Sequence, residues 1–465
     1  MGARYRTVRI SGGLGMAVEQ SERASGNLPF LIFLNFAIVL PTPLFQQGPW
    51  RLALLAAFAG WIVARKRPGG LGTAVARALE RAPWAVRLAV FGTAPVMVLA
   101  VSLGSPNKVR IWEAAVIAAM VALLSRRGRP PAWCGRVLVA LALTVPLLNL
   151  ASGMLVPKLS DVATTTVDAV RMVLDGHNPY AAAQLDPLGA VNAHAPGFGG
   201  YKYLPVMIAI HLPFVVPFGP MAVLWANALM MAALCAVVCV MVRDRAARLT
   251  AIAVLLVAPE MAESSFAMGF NDLPGTLLVL AAFAVWGRWP LAAGLLVGLG
   301  VSCKLMPALA AVTILFPPRR WKPYAVGVAL GGLPILAFLA WDAQAFLRNI
   351  VLFNLVRWPD PTSWRMIAPA WMGKAASLGA VALWLGGSAR LAWRAQGGEV
   401  PLDARLRLFA IVTLALIMAG ATAHDDYMIW WMPALAVLLA REAVRGRDGM
   451  GERVVSPAGF EPATY

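Results

Sequence analysis

The sequence has little charge and few cysteines for its length. Only 13% of its 465 residues are charged, which is about half the charged fraction of a soluble domain. The four cysteines lie in or beside apolar segments and lack the spacing of a metal site. This composition excludes an ordinary soluble enzyme, and the cysteine spacing does not indicate a zinc centre.

Long apolar runs take the place of the missing charge. Hydrophobic residues make up 60% of the chain, and the mean hydropathy is +0.71. The run MAVLWANALMMAALCAVVCVMV, residues 221–242, contains no charge and exceeds the roughly 20 residues that a helix needs to cross a bilayer. We therefore predict an all-α, polytopic integral membrane protein located in the cell membrane.

Basic residues outnumber acidic ones by 40 to 22, which gives a net charge of +18. They cluster in short linkers between apolar runs, namely RKR at 65–67, RRGR at 126–129, RDRAAR at 243–248 and RRWK at 319–322. This distribution follows the positive-inside rule and favours contact with anionic lipid. Membrane lipids are therefore expected partners, and nucleic acid is not.

Placing these linkers in the cytoplasm predicts about 12 to 14 transmembrane helices. Two segments then form large outer loops, residues 157–219 and residues 341–366. Within the first loop, the proline-rich segment 203–219 is expected to be interfacial or re-entrant. A full crossing there would move RDRAAR to the outer side.

The same topology divides the chain into three regions. Residues 1–134 form an N-terminal membrane region of four helices, whose role the sequence does not indicate. Residues 135–442 form the core with both outer loops. Residues 443–465 are polar and are expected to form a disordered cytoplasmic tail.

The stretch SDVATTTVDAVRMVLDGHNPY, residues 160–180, predicts an amphipathic helix on the outer loop. Ser160 is a suitable N-cap, and Gly176 followed by Pro179 ends the helix. One face is mostly apolar, comprising Val162, Thr166, Ala169, Val170, Val173 and Leu174. Such a helix is expected to lie at the membrane surface.

The acids of this helix have different expected roles. Arg171 follows Asp168 by three residues and precedes Asp175 by four, spacings typical of surface ion pairs. The predicted helix offers Asp161 no basic residue at such a spacing. Two alternatives stay open for Asp161: stabilisation of the first helical turn, or a functional carboxylate at the membrane boundary.

Further polar groups fall on the same predicted face. Asn271 and Asp272 precede an apolar run, where helix capping ahead of Pro274 and a functional role are both open. Lys304 interrupts a hydrophobic segment, and an intramembrane charge is functional unless it snorkels to the interface. Gly294 and Gly298 form a small-xxx-small pair that predicts close helix packing.

The order of these segments resembles the GT-C class of membrane glycosyltransferases, in particular its bacterial polyprenyl-phosphate-sugar-dependent mannosyltransferase-like families. The resemblance covers roughly residues 135 to 440. It lies in the loop aspartate and G-x-N-P-Y turn of residues 160–180, in YKYLP at 201–205, and in the block from NDLP to KLMP at 271–307. Val162 departs from the pattern, because many GT-C enzymes carry a second acid there.

The resemblance implies a glycosyltransferase that moves a mannose-like hexose or a pentose from a polyprenyl-phosphate donor to a glycan or lipid acceptor. The reaction would occur at the extracytoplasmic face, with Asp161 as the general base. The implied candidates for binding the donor phosphate or sugar are Lys202, Tyr203, Lys304, Arg357, Arg365, His424 and Asp425, with Asp168 and Asp272 as secondary acids.

This reading requires no cofactor, although Asp161 and Asp272 could together hold a divalent cation. The spacing of the sequence shows no metal-ligand motif. The alternative function is a transporter or flippase for lipid-linked saccharides. Inverted repeats with paired broken helices would favour that alternative, and the sequence shows no obvious internal repeat.

Overall fold

A computed structural model describes residues 28–39, 78–79, 82–104, 109–125, 132–185, 197–258, 260–359, 365, 368–398, 400–420 and 425–451. These residues are predominantly helical, and no strand occurs among them, which confirms the all-α prediction. The α-helices are α1 (Leu28–Val39), α2 (Trp84–Phe91), α3 (Thr93–Gly104), α4 (Val109–Ser125), α5 (Ala132–Leu155), α6 (Asp161–Leu174), α7 (Pro205–Phe218), α8 (Ala222–Met241), α9 (Arg245–Val257), α10 (Leu273–Val285), α11 (Pro290–Val301), α12 (Leu305–Ile314), α13 (Trp321–Leu347), α14 (Phe353–Val356), α15 (Ala370–Gly397), α16 (Leu402–Ala419) and α17 (Met432–Gly451). Shorter 3₁₀ or π turns lie at Pro179–Ala181, Gly219–Met221, Glu260–Ser264, Pro318–Arg320, Arg348–Leu352 and Asp425–Trp430.

Four helical segments of the described chain are long and apolar enough to cross a membrane. They are Trp133–Leu155, Pro205–Met241, Pro318–Val356 and Ala370–Gly397. Three shorter apolar helices also occur, at Trp84–Ala100, Leu273–Val285 and Pro290–Val301. The finding supports a membrane protein, and the count of 12 to 14 crossings stays a prediction.

The segment predicted to be interfacial or re-entrant forms α7, which has 14 residues. At 1.5 Å per residue, α7 is about 21 Å long, whereas the hydrocarbon core of a bilayer is about 30 Å thick. Gly219 ends α7 with a φ of 54° and separates it from α8. This break divides the long apolar segment in two. That α7 does not cross the membrane stays a prediction.

The second predicted outer loop, residues 341–366, is largely helical where the structure describes it. Asp342 has a non-helical backbone (φ −158°, ψ 94°), and its Oδ1 accepts a hydrogen bond of 2.9 Å from the Ala345 backbone N–H. This cap starts a new helical segment that continues through a π turn into α14. The predicted outer loop is therefore helical over residues 343–356, and its position outside the membrane stays a prediction.

Glycines hold α11 and α13 together. A Cβ added at Gly298 would lie 2.4 Å from the Val328 carbonyl oxygen, and one at Gly331 would lie 2.5 Å from the Leu295 carbonyl oxygen. The backbones therefore approach each other at a distance that only glycine permits. The predicted packing role of Gly294 and Gly298 is confirmed.

Two hydrophobic cores organise the described helices. The larger core joins α1, α4 and α5 to α8 through α12 and to α16 and α17. The smaller core joins the amphipathic helix α6 to α7, to the turn at Pro179–Ala181 and to the C-terminal part of α13. The second core thus places the two predicted outer loops in one layer.

The N-terminal helices contact the rest of the protein through polar side chains. Arg110 of α4 forms an ion pair with Glu263. Glu113 is fully buried and accepts a hydrogen bond of 2.7 Å from Asn149 Nδ2 of α5. Residues 1–134 are therefore joined to the core where the structure describes them. At the other end of the chain, α17 continues to Gly451, beyond the predicted boundary at residue 442.

Candidate active site

The centre of the site is an ion pair between Lys304 and Asp272. Lys304 lies between α11 and α12 in an extended conformation (φ −147°, ψ 117°), and Asp272 immediately precedes α10. The Lys304 ammonium group contacts Asp272 Oδ1, and their side chains are 12% and 0% exposed. The hydrophobic segment that Lys304 interrupts is therefore divided into two helices, and the charge of Lys304 is met by a buried acid rather than by snorkelling.

The same carboxylate oxygen also accepts a hydrogen bond from Trp430 Nε1. Its other oxygen, Asp272 Oδ2, is buried and has no hydrogen-bond partner among the described residues. The Asp272 side chain makes no capping hydrogen bond to α10. The capping alternative is therefore wrong, since this carboxylate is directed to Lys304 and Trp430.

Three aromatic rings surround the Lys304 ammonium group. The ring centres of Tyr203, Tyr427 and Trp430 lie 5.2, 5.7 and 5.4 Å from Lys304 Nζ. The Tyr427 and Trp430 rings stack on each other with centres 4.3 Å apart. Rings at this distance attract a cation through their π faces, so the ammonium group is held by the Asp272 carboxylate and by the surrounding rings.

The N-terminus of α6 is fixed close to this ion pair. Ser160 is the N-cap as predicted, because its Oγ accepts a hydrogen bond of 3.2 Å from the Ala163 backbone N–H. The Ser160 backbone N–H donates to the Met268 carbonyl oxygen at 2.9 Å. Asp161 therefore begins the helix beside the segment that leads into Asn271 and Asp272.

A second contact ties the body of α6 to the same segment. Asn271 Nδ2 donates to Thr166 Oγ1 at 3.0 Å, and the Tyr201 hydroxyl donates to the same oxygen at 3.3 Å. Thr166 is fully buried. This network joins the first outer loop to the start of α10.

Tyr203 lies close enough to Asp161 and Asp272 to feel the charges of both carboxylates. Burial raises the pKa of the Tyr203 hydroxyl well above its ordinary value, and Tyr427, Asp161 and Asp272 raise it further. The hydroxyl is therefore neutral near pH 7 and can donate a hydrogen bond. Four predicted residues, Asp161, Tyr203, Asp272 and Lys304, thus gather in one region.

Two other predicted residues lie elsewhere. Asp168 is about two turns from Asp161 along α6 and forms the predicted pair with Arg171, at 3.5 Å and with both side chains partly exposed. Burial raises the pKa of Asp168 and nearby Arg171 lowers it, with burial the larger effect. Lys202 Nζ donates to Asn349 Oδ1 at 2.7 Å and lies 5.1 Å from the centre of the Phe353 ring, so it links the two predicted outer loops.

The remaining predicted cations are near the second outer segment. Arg357 lies over the Phe353 ring at 5.5 Å. Arg365 lies against Gly373 at the start of α15, where an added Cβ would come within 2.7 Å of Arg365 Nε. His424 lies outside the described residues, and Asp425 begins the 3₁₀ turn that carries Tyr427 and Trp430.

No sequence pattern predicted a role for Trp430, which donates a hydrogen bond to Asp272. Its position six residues after the predicted site residue His424 is the signal in the sequence that could have indicated it. Among the described residues, no group of three or more His, Cys, Asp or Glu side chains is arranged to hold a metal ion. A cation shared by Asp161 and Asp272 would have to compete with the Lys304 ammonium group.

Comparisons with known proteins identify a family. The sequence profile of glycosyltransferase family 87 matches residues 201–444, slightly more than half of the chain. No curated protein and no solved structure matches the chain. The matched region contains Tyr203, Asp272, Lys304 and Trp430, whereas Asp161 precedes it. The profile match shows that the chain belongs to glycosyltransferase family 87.

Proposed function

We propose that this protein transfers a sugar from a polyprenyl-phosphate donor to a glycan or lipid acceptor at the extracytoplasmic face of the cell membrane. Asp161 acts as the general base, and Lys304 receives the phosphate of the donor. The family assignment supports glycosyl transfer. The lipid-linked donor and the orientation follow from the GT-C resemblance and from the basic linkers.

The observation that carries the proposal is the Lys304–Asp272 pair beside the N-terminus of α6. A buried ion pair costs desolvation energy that its mutual attraction does not always repay. Such a pair in a membrane protein is a functional hypothesis by default. Lys304 is 12% exposed whereas Asp272 is fully buried, so an incoming anion reaches the cation and not its partner.

The proposed reaction is a displacement at the anomeric carbon. The acceptor hydroxyl gives its proton to Asp161, and its oxygen forms a bond to the anomeric carbon. The bond from that carbon to the phosphate oxygen breaks, and the polyprenyl phosphate leaves with the electron pair. Lys304 stabilises the added negative charge, and the neutral Tyr203 hydroxyl is a further donor.

A transfer assay with purified protein tests this proposal. The protein would be incubated with a panel of radiolabelled polyprenyl-phosphate sugars and glycolipid acceptors. We expect transfer from at least one donor and its loss in the Asp161→Asn and Lys304→Ala variants. Absence of transfer from every donor by folded wild-type protein would contradict the proposal.

The same preparation distinguishes the alternative function. A flippase would move a fluorescent lipid-linked saccharide across a proteoliposome membrane without forming a new glycosidic bond. The family assignment favours transfer over translocation. Translocation without transfer would support the flippase.

A further inference from the structure

An open cavity lies beside the C-terminal half of α6, away from the Lys304–Asp272 pair. Its volume is about 530 Å³, within the range of small-molecule sites. Its lining residues are Asp168, Arg171, Met172, Asp175, Gln184 and Leu185. Four of these six side chains end in planar polar groups, and the other two supply apolar surface.

The cavity lies on the same helical face as Asp161. Positions 161, 164, 168, 171 and 175 follow alternating spacings of three and four residues, which place them in one stripe along the helix. None of the five is buried. The opposite face, with Ala163, Val167 and Val170, is buried in the smaller hydrophobic core.

The distance along this stripe exceeds one sugar ring. Asp168 is seven residues from Asp161, which corresponds to about 10 Å along the helix axis. Arg171 and Asp175 lie still farther along. A ligand that touches both Asp161 and the cavity must therefore be an extended molecule of at least two sugar units.

The chemistry of the lining matches a polyhydroxylated ligand. Carboxylates accept hydrogen bonds from hydroxyl groups, guanidinium donates to them, and a carboxamide does both. Because two acids and one base line the cavity, it carries no excess of positive charge that would select an anion. Met172 and Leu185 offer apolar contact to the C–H faces of sugar rings.

We infer that this cavity binds the inner sugar units of an oligosaccharide acceptor, whose terminal hydroxyl reaches Asp161. The inference rests on the proposed function and narrows its acceptor to a glycan of two or more units. The stripe on α6 then binds the acceptor, and the Lys304 side of Asp161 binds the donor.

An acceptor series tests the inference. Wild-type protein and the double variant Arg171→Ala, Gln184→Ala would be assayed with glycolipid acceptors of one, two and three sugar units. We expect the wild-type KM to fall as the acceptor lengthens. The double variant should raise KM for the trisaccharide about tenfold, as expected for lost hydrogen bonds to charged groups, with kcat and the monosaccharide KM unchanged.

The matched control is His177→Ala, because His177 is an exposed residue of the same loop that does not line the cavity. It should leave every KM unchanged. A wild-type KM that does not depend on acceptor length would overturn the inference while leaving the proposed function intact. So would an equal rise in KM for all acceptors in the double variant.

A binding measurement separates the two proposals if no donor supports transfer. Saturation-transfer NMR would compare free mono-, di- and trisaccharides on detergent-solubilised wild-type and double-variant protein. Length-dependent signals that disappear in the double variant would support the cavity as a glycan site even though the proposed function had failed. Absence of trisaccharide signal with wild-type protein would reject the cavity.

Discussion

Replacing Asp161 by Asn removes the proposed base with little change in shape. Asp161 occupies the first turn of α6, and the N-cap hydrogen bond belongs to Ser160, so the helix keeps its cap. The lost interaction of a first-turn carboxylate with the helix dipole is worth about 0.3–1 kcal/mol. We therefore expect the variant to fold with nearly wild-type stability.

The expected loss of activity is much larger than this change in stability. Removing a positioned general base typically slows a reaction about 100-fold to 10,000-fold. This corresponds to roughly 2.7–5.4 kcal/mol in the activation barrier. The kinetic and structural effects of Asp161→Asn therefore differ enough to be separated in one set of measurements.

The assay would measure kcat with a radiolabelled lipid-linked donor, alongside the thermal unfolding midpoint. The control is Asp244→Asn, because Asp244 caps α9 through a 2.8 Å hydrogen bond to the Ala247 backbone N–H and lies in a predicted cytoplasmic linker. This control makes the same Asp-to-Asn change at the start of a helix that has no role in the site. A kcat within tenfold of wild type for Asp161→Asn would refute the assignment of the base.

Three further outcomes are expected. Lys304→Gln should destabilise the protein by about 3–5 kcal/mol, since it leaves the buried Asp272 without its cation. Adding Asp272→Asn should restore the unfolding midpoint but not transfer. Losses of stability that simply add in the double variant would contradict the pairing. Gly298→Ala should reduce the yield of folded protein, because its Cβ would lie 2.4 Å from a carbonyl oxygen of α13. The control Gly386→Ala should not reduce the yield, because its Cβ meets nothing within 4 Å. Equal yields of the two variants in size-exclusion chromatography would contradict the close helix contact. Truncation after Gly446 should preserve insertion and transfer, because the removed residues are polar and follow the last apolar run; loss of activity at normal expression would show that they matter.

Local signals predicted the helices well. Ser160 and Gly176 delimit α6 because capping and chain reversal depend on neighbouring residues only. Gly298 indicated helix packing for a similar reason, since two small residues four positions apart are typical of close contacts between helices. The break at Lys304 was also visible, because a charge in an apolar run disrupts its pattern.

The partners of the polar residues could not be predicted in the same way. Lys304 and Asp272 are 32 residues apart, and Trp430 is a further 126 residues along the chain. Lys202 is predicted to bind the donor phosphate or sugar, and its contact with Asn349, 147 residues away, could not be predicted. Each of these contacts depends on how helices cross, which no local pattern encodes.

The spacing of Asp272 and Lys304 has a consequence for how the chain enters the membrane. A lysine or an aspartate costs about 2.5–3.5 kcal/mol at the centre of a lone inserting helix and less near its ends, where Asp272 and Lys304 lie. These two residues flank the consecutive helices α10 and α11, so both leave the ribosome before Trp430 is made. If the two helices integrate as one hairpin, each charge is neutralised by the other during biogenesis. The ion pair would then lower the barrier to translocon release of this hairpin.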